Sequence, residues 1–127
     1  MKTILITGGT GYVGSHTSLL LLERGYKIII LDSNLNSSLK PINSIKKILK
    51  NSSNYYEEKL NFINGDVRDI SLLNNIFKRA KDNNEEITSV FHFAGLKCIE
   101  ESIKSPLKYW DNNVCGTISL LKVMEKY

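Results

Sequence analysis

Thr7-Gly8-Gly9-Thr10-Gly11-Tyr12-Val13-Gly14 is the stretch that decides the fold of this 127-residue chain. Its glycines at 8, 11 and 14 lie between an apolar run, Thr3 to Thr7, and a segment from Tyr12 to Arg24. That segment places Val13, Thr17, Leu20 and Leu21 on one helical face before Gly25 ends it. The pattern reads as a strand, a tight turn and a helix. In that setting glycine tolerates unusual backbone angles, carries no side chain to keep a pyrophosphate away, and precedes a helix N-terminus whose free N–H groups favour an anion. The spacing is GxxGxxG rather than GxGxxG, so the flanking strand and helix, not the glycines alone, separate this motif from a merely glycine-rich turn.

Working outward, Lys27-Ile28-Ile29-Ile30-Leu31 is apolar at every position from Ile28 to Leu31, as a parallel strand covered on both faces requires, and it ends at Asp32. Residues 33 to 59 are polar and rich in Asn, Ser and Lys, with one helix expected around Ile42 to Leu49 from apolar positions 42, 45, 48 and 49. Leu60 to Ile63 reads as a third strand. Asp69 then caps a helix whose Leu72, Leu73, Ile76, Phe77 and Ala80 share a face. Thr88 to Phe93 makes a fourth strand. Ser105-Pro106 opens a long helix with Leu107, Trp110, Val114, Ile118 and Leu121 on one stripe. Alternating strands and helices with right-handed crossovers imply an α/β fold, a Rossmann-type doubly wound parallel sheet. Four strands are legible and a fifth is not, so the sheet is expected to be incomplete at its C-terminal end, with an open edge and exposed apolar surface.

Composition narrows the function. Lys and Arg outnumber Asp and Glu by 17 to 13 with no long basic run, which gives no case for nucleic acid. Cys98 and Cys115 form neither a CxxC nor a Cys/His ligand pattern, so no metal site is expected and a reduced compartment is the simpler reading. The N-terminus meets glycine by position 8, which leaves no apolar stretch for a signal peptide or membrane span. A soluble cytoplasmic protein is expected, and no membrane partner.

Asp32, eighteen residues beyond Gly14 at the end of the second strand, is placed to accept hydrogen bonds from ribose hydroxyls and to repel a 2′-phosphate. No arginine follows in Ser33-Asn34-Leu35-Asn36, so NAD is favoured over NADP. In Gly65-Asp66-Val67-Arg68-Asp69, Asp66 can accept from an adenine amine, or serve a turn and cap. Phe93-Ala94-Gly95 can let a backbone pass close to a cofactor, or end a strand for packing reasons. Lys97 is the one lysine that this topology places on the cofactor side at the fourth strand. His92 reads as a hydrogen-bonded core histidine, and His16 receives no role. Tyr55 and Lys59 have the spacing of an acid–base pair one helical turn apart, but lie at the amino ends of the strands, away from the glycine turn, and read as coincidence.

Together these residues resemble the extended short-chain dehydrogenase/reductase family, over nearly the whole chain. Thr7 to His16 resembles its opening loop, Asp32 to Ser37 its ribose loop, and Gly65 to Asp69 its adenine loop. His92-Phe93-Ala94-Gly95-Leu96-Lys97, Glu101-Ser102 and Pro106 to Thr117 are similar to the family's 4-epimerase branch rather than to its dehydratases. The resemblance implies that Tyr12, Val13, Asp32, Asn36, Ser37, Asp66, Val67, Phe93, Ala94, Gly95, Lys97 and Asn112 line an NAD site together with Gly8, Gly11 and Gly14, with Lys97 near the nicotinamide ribose. It implies an isomerase that interconverts UDP-glucose and UDP-galactose through a 4-keto intermediate, and a homodimeric parent. The family's catalytic serine or threonine, its YxxxK pair and its uridine-nucleotide-binding C-terminal domain are expected beyond Tyr127. No catalytic residue is therefore assigned, and the chain is expected to be the N-terminal part of an NAD-binding domain, inactive alone and weak toward NAD. The alternatives are a 4-epimerase for another UDP-sugar and a small non-catalytic NAD-binding protein.

Overall fold

A computed structural model describes residues 2–34, 38–50 and 57–127. Four strands, β1 (Thr3–Thr7), β2 (Lys27–Asp32), β3 (Leu60–Asn64) and β4 (Ile87–His92), form one parallel sheet in the order β3-β2-β1-β4. The register sets Ile4 beside Ile28 and Ile28 beside Leu60, and brings Thr7 level with Leu31 and His92. Helices α1 (Tyr12–Glu23) and α2 (Lys40–Lys50) cover one face, where Ile4, Ile6, Ile28 and Ile30 meet Leu22, Ile42, Ile45 and Leu49. On the other face Leu5, Ile29 and Leu31 meet α3 (Ile70–Asp82) and α6 (Gly116–Lys126) through Leu73, Ile76, Phe77, Leu120 and Val123. The unbroken apolar runs of β1 and β2 are thus explained by burial on both sides.

Three helices differ from the periodicity. In α1 the apolar positions Val13 and Leu20 are 57% and 50% exposed, while Gly14, Ser15, Ser18 and Leu22 are buried. The helix is apolar around much of its circumference, so hydrophobicity does not choose the face; small residues do, because they let the helix axis approach the glycine turn. In α6 the expected stripe is likewise the exposed one, and Leu120 and Val123 are buried instead. In α2, Ile48 points outward while Ile42, Ile45 and Leu49 are buried.

The helix expected from Ser105 is not uniform. Between β4 and α6 lie α4 (Ile99–Lys104), α5 (Pro106–Tyr109) and a wide π-helical turn, Trp110–Cys115, that runs directly into α6. Helix α4 was not foreseen, although Glu100 and Glu101 in its first turn and Lys104 in its last fit the helix dipole. Ser105 makes no side-chain cap, whereas Asp69 does cap α3, accepting from the Leu72 N–H at 2.9 Å. Strand β4 forms an edge of the sheet, with Ser89 and Phe91 exposed and Val90 and His92 half-buried, in keeping with the expected open edge. Among the described residues no helix is long and apolar enough to cross a membrane.

Candidate functional site

Backbone pairing continues past the carboxyl ends of the strands and lays the four following loops side by side. The Gly8 N–H donates to the Leu31 carbonyl at 2.9 Å, the Gly65 N–H to the Asp32 carbonyl at 3.1 Å, and the Phe93 N–H to the Thr7 carbonyl at 3.0 Å. The loops after β1, β2, β3 and β4 therefore open onto one cleft, where ligands gather in open parallel sheets. Gly8, Gly11, Asp32, Asp66, Val67, Phe93, Ala94, Gly95, Lys97 and Asn112 line it, ten of the residues singled out from the sequence. Leu31, Ser33, Gly65 and Leu96 line it as well and were not singled out as binding residues. Tyr12 and Val13 stand exposed in the first turn of α1, Tyr12 against the His16 ring at 4.5 Å, and Gly14 is buried beneath the turn. Asn36 and Ser37 lie outside the described residues, as does Tyr55; Lys59 sits in the 3-10 turn Glu57–Lys59 before β3, at the amino end of that strand.

The glycines have different physical reasons. Gly8 has φ +69°, and a Cβ on it would lie 2.6 Å from the Ala94 nitrogen, so a side chain is excluded twice. A Cβ on Gly14 would stand 2.4 Å from the Gly8 carbonyl oxygen, which makes this the position where α1 rests on the turn. Gly11 is different: its backbone is extended at φ −74°, ψ 173°, and a Cβ would meet only the Gly8 oxygen at 3.3 Å. It lines the cleft, so its missing side chain leaves space for something else. It also begins α1 with no side-chain cap, and the first turn of that helix has no acidic residue. An uncapped helix N-terminus over a vacant glycine fits a pyrophosphate.

Asp32 binds the loops together: its carboxylate accepts from the Thr10 N–H at 3.0 Å and from the Asn34 N–H at 2.9 Å, while the Thr10 hydroxyl donates to the Asn34 side chain at 3.2 Å. Asp66 is fixed by its neighbour. Arg68 donates to it through the backbone N–H at 2.8 Å, Nε at 3.0 Å and Nη2 at 2.6 Å, and reaches Asp111 of the π turn with Nη1. These hydrogen bonds from the Arg68 side chain hold the Asp66 carboxyl below the usual carboxylate range despite partial burial.

The fourth loop is held by Asn113, whose amide accepts from the Leu96 N–H at 2.8 Å and donates to the Leu96 carbonyl at 2.9 Å. Behind it, His92 is the hydrogen-bonded histidine expected. The Ala94 N–H donates to the Thr7 hydroxyl at 3.2 Å, and that hydroxyl donates to His92 Nδ1 at 2.6 Å. The Thr117 hydroxyl donates to the Asn113 carbonyl at 2.6 Å and so accepts from His92 Nε2 at 3.0 Å. This chain of donors assigns a neutral imidazole with its proton on Nε2, and burial pushes its pKa down. Sequence reasoning missed the Arg68 bridge, the Asn113 clamp and Thr117; only the adjacency of Asn112 and Asn113 hinted that this turn presents polar groups to a loop. Among the described residues, no cluster of His, Cys, Asp or Glu could hold a metal ion, and both cysteines are free and exposed.

Comparison with known proteins gives a family model described as GDP-mannose 4,6 dehydratase, which matches residues 5–127. UDP-glucose 4-epimerase 2 of Arabidopsis thaliana is 43% identical over 126 residues, 99% of this chain and 33% of the relative. The crystal structure of UDP-glucose 4-epimerase from Bifidobacterium longum in complex with NAD+ and UDP superposes with a TM-score of 0.83 and 39% identity, covering 98% of this chain and 34% of that one. The enzyme of the same name from Stenotrophomonas maltophila, with bound NAD and formylated UDP-arabinopyranose, gives a TM-score of 0.83 and 34% identity over 98% of this chain and 34% of that one. The chain spans about a third of the length of the relatives it matches.

Proposed function

The chain belongs to the family described as GDP-mannose 4,6 dehydratase, and from that premise we propose that it is the NAD-binding part of a UDP-glucose 4-epimerase. The observation that carries this reading is the cleft: a side-chain-free glycine before an uncapped helix, with a carboxylate at the end of β2 and another after β3. In the proposed site Gly8, Gly11 and Gly14 shape the pyrophosphate cradle, with Tyr12 and Val13 over it. Asp32, with Asn36 and Ser37, takes the adenosine ribose, and Asp66 and Val67 take the adenine. Phe93, Ala94, Gly95, Lys97 and Asn112 face the nicotinamide half. NAD, when bound, supplies the hydride acceptor for C4 of the sugar. This chain's residues bind and orient the dinucleotide, and the acid–base pair and sugar pocket lie outside residues 1–127.

The similarity at 43% to an enzyme of that name, over a third of its length, supports the activity and this division of labour. A UDP-sugar is then the substrate, and formylated UDP-arabinopyranose in one solved relative keeps other UDP-sugars as the second reading. The exposed apolar side chains of Ile99, Ile103, Leu107, Trp110, Val114 and Ile118 support a homodimer. Two free thiols suit a reducing cytoplasm.

Calorimetric titration with NAD and NADP tests the cofactor. NAD is expected to bind about tenfold more tightly or better, since a 2′-phosphate meets Asp32; equal affinities, or a preference for NADP, refute the reading. Interconversion of UDP-galactose and UDP-glucose by the 127-residue chain itself would refute the division of labour.

A further inference from the structure

Arg68 is the least explained charge near the cleft. Bridging i, i+2 pairs on a surface are ordinarily worth little, yet this guanidinium also reaches across 43 residues to Asp111. A carboxylate offers about four lone-pair positions. On Asp66, Oδ1 receives the Arg68 N–H at 2.8 Å, Oδ2 receives Nη2 at 2.6 Å, and the single Nε–H is shared between Oδ1 at 3.0 Å and Oδ2 at 3.1 Å. Three N–H groups therefore occupy three positions, and the fourth is left on Oδ2. The loop carrying this arrangement cannot slide, because a Cβ on Gly116 would stand 2.8 Å from Val67 Cγ1, so the loop and the start of α6 are already in contact. Asp111, the far anchor, immediately precedes Asn112, which lines the cleft.

We propose that Arg68 is a positioning residue that sets the base preference of the site: by engaging both Asp66 oxygens and anchoring on Asp111, it presents one oriented, acceptor-only position to the base. A purine with an exocyclic amine donates to that position. A purine with a carbonyl there sets oxygen against oxygen and is refused. The inference rests on the reading that Asp66 meets the base, and it adds that Asp66 alone does not suffice.

ADP and IDP carry the same ribose and diphosphate and differ only at the base, so the ratio of their dissociation constants, measured by calorimetry on the full chain, isolates the effect. The unmodified chain is expected to prefer ADP about tenfold, the worth of one charge-assisted hydrogen bond at a partly exposed site. In Arg68→Met the ratio should fall to within about threefold, mainly through weaker ADP binding, and Asp66→Asn should do the same. The double variant should fall no further than either single one, as expected when both act through one contact. Arg68→Lys keeps the charge without the planar fork and should not restore the ratio. Asp111→Asn, which leaves Arg68 and Asp66 in place, should lower the ratio partway and serves if Arg68→Met fails to fold. A surface ion pair would instead weaken ADP and IDP alike. If Asp66→Asn lowers the ratio and Arg68→Met and Asp111→Asn leave it unchanged, the inference falls and the reading of Asp66 survives; no preference for ADP in the unmodified chain overturns both.

Discussion

Replacing two glycines of one turn by alanine should give opposite results. In Gly14→Ala the new methyl would lie 2.4 Å from the Gly8 oxygen and 2.8 Å from the Gly9 Cα, all backbone, so the turn or α1 must move by about 1 Å. Overpacking of that kind costs about 1–3 kcal/mol, and at this site the upper part of that range applies because no flexible side chain can yield. Alanine's better helix propensity returns up to about 1 kcal/mol, which leaves a net loss of about 1–2 kcal/mol. In Gly11→Ala the only contact is the Gly8 oxygen at 3.3 Å, and φ −74°, ψ 173° suits any residue. The reduced freedom of the unfolded chain gains about 0.4–1 kcal/mol, alanine in place of glycine at the N-cap loses about 0.5–1 kcal/mol, and the sum is near zero. Thermal unfolding followed by circular dichroism should show Gly14→Ala lower by about 4–8 °C and Gly11→Ala within about 2 °C of the unmodified chain. Titration with ADP should show the reverse for Gly11→Ala: near-normal stability but binding weaker by about tenfold or more, because its methyl occupies the phosphate approach. Equal destabilisation by the two variants, or a Gly11→Ala chain that binds ADP normally, would refute this division of roles.

Thr3 is fully buried and its hydroxyl has no partner, so Thr3→Val, which keeps the shape and removes the polar atom, should raise stability by about 1 kcal/mol in urea unfolding. Leu120 and Leu121 are adjacent but 2% and 55% exposed; Leu120→Ala should cost about 2–5 kcal/mol and Leu121→Ala less than about 0.5 in the same assay. His92 has its pKa lowered by burial, so the unfolded chain binds the extra proton first: its contribution is complete above the ordinary histidine value of 6.5 and is lost as pH falls through 6.5 toward the lowered folded value. Stability measured from pH 7.5 to 5 should decline in that window, and His92→Asn, which does not titrate, should flatten that part of the decline while lowering stability at pH 7.5.

What was legible in the sequence follows from what each residue type can do alone. The runs Ile28 to Leu31 and Thr3 to Thr7 admit few environments, so β1 and β2 were readable to the residue. Asp69 as a cap and the buried face of α3 were readable because that helix is polar on its other side. Helix α1 was misread in its face, since Val13, Leu19, Leu20, Leu21 and Leu22 surround it and only the small residues Gly14 and Ser18 mark the contact. The long helix after Pro106 was misread for a related reason: its regular apolar stripe lies on the exposed side, and nothing in the spacing signals a π turn. The cleft was legible at Gly8, Gly11, Asp32 and Asp66 because strand ends fix those positions, whereas the clamps by Arg68, Asn113 and Thr117 depend on how a later helix lands.

That landing explains why so short a segment governs the cleft. Asp111, Asn112 and Asn113 are consecutive in a turn wider than an α-helix, and they splay to three destinations. Asp111 takes Arg68 and hence the loop after β3, Asn112 enters the cleft, and Asn113 seizes the backbone of Leu96 and hence the loop after β4. One turn later Thr117 reaches His92, and through it the hydroxyl of Thr7 at the base of the glycine turn. The sheet brings the four loops to one end but does not set their spacing, because each leaves its strand with freedom of its own. A single helix holding two of them directly, and a third through a neutral histidine, removes that freedom jointly. Pre-organisation of this kind lowers the ordering entropy that an extended ligand would otherwise meet at each loop. The wide turn is therefore best understood as the element that registers the loops, with the π geometry providing the splay at the point where a cleft residue must stand between two anchors.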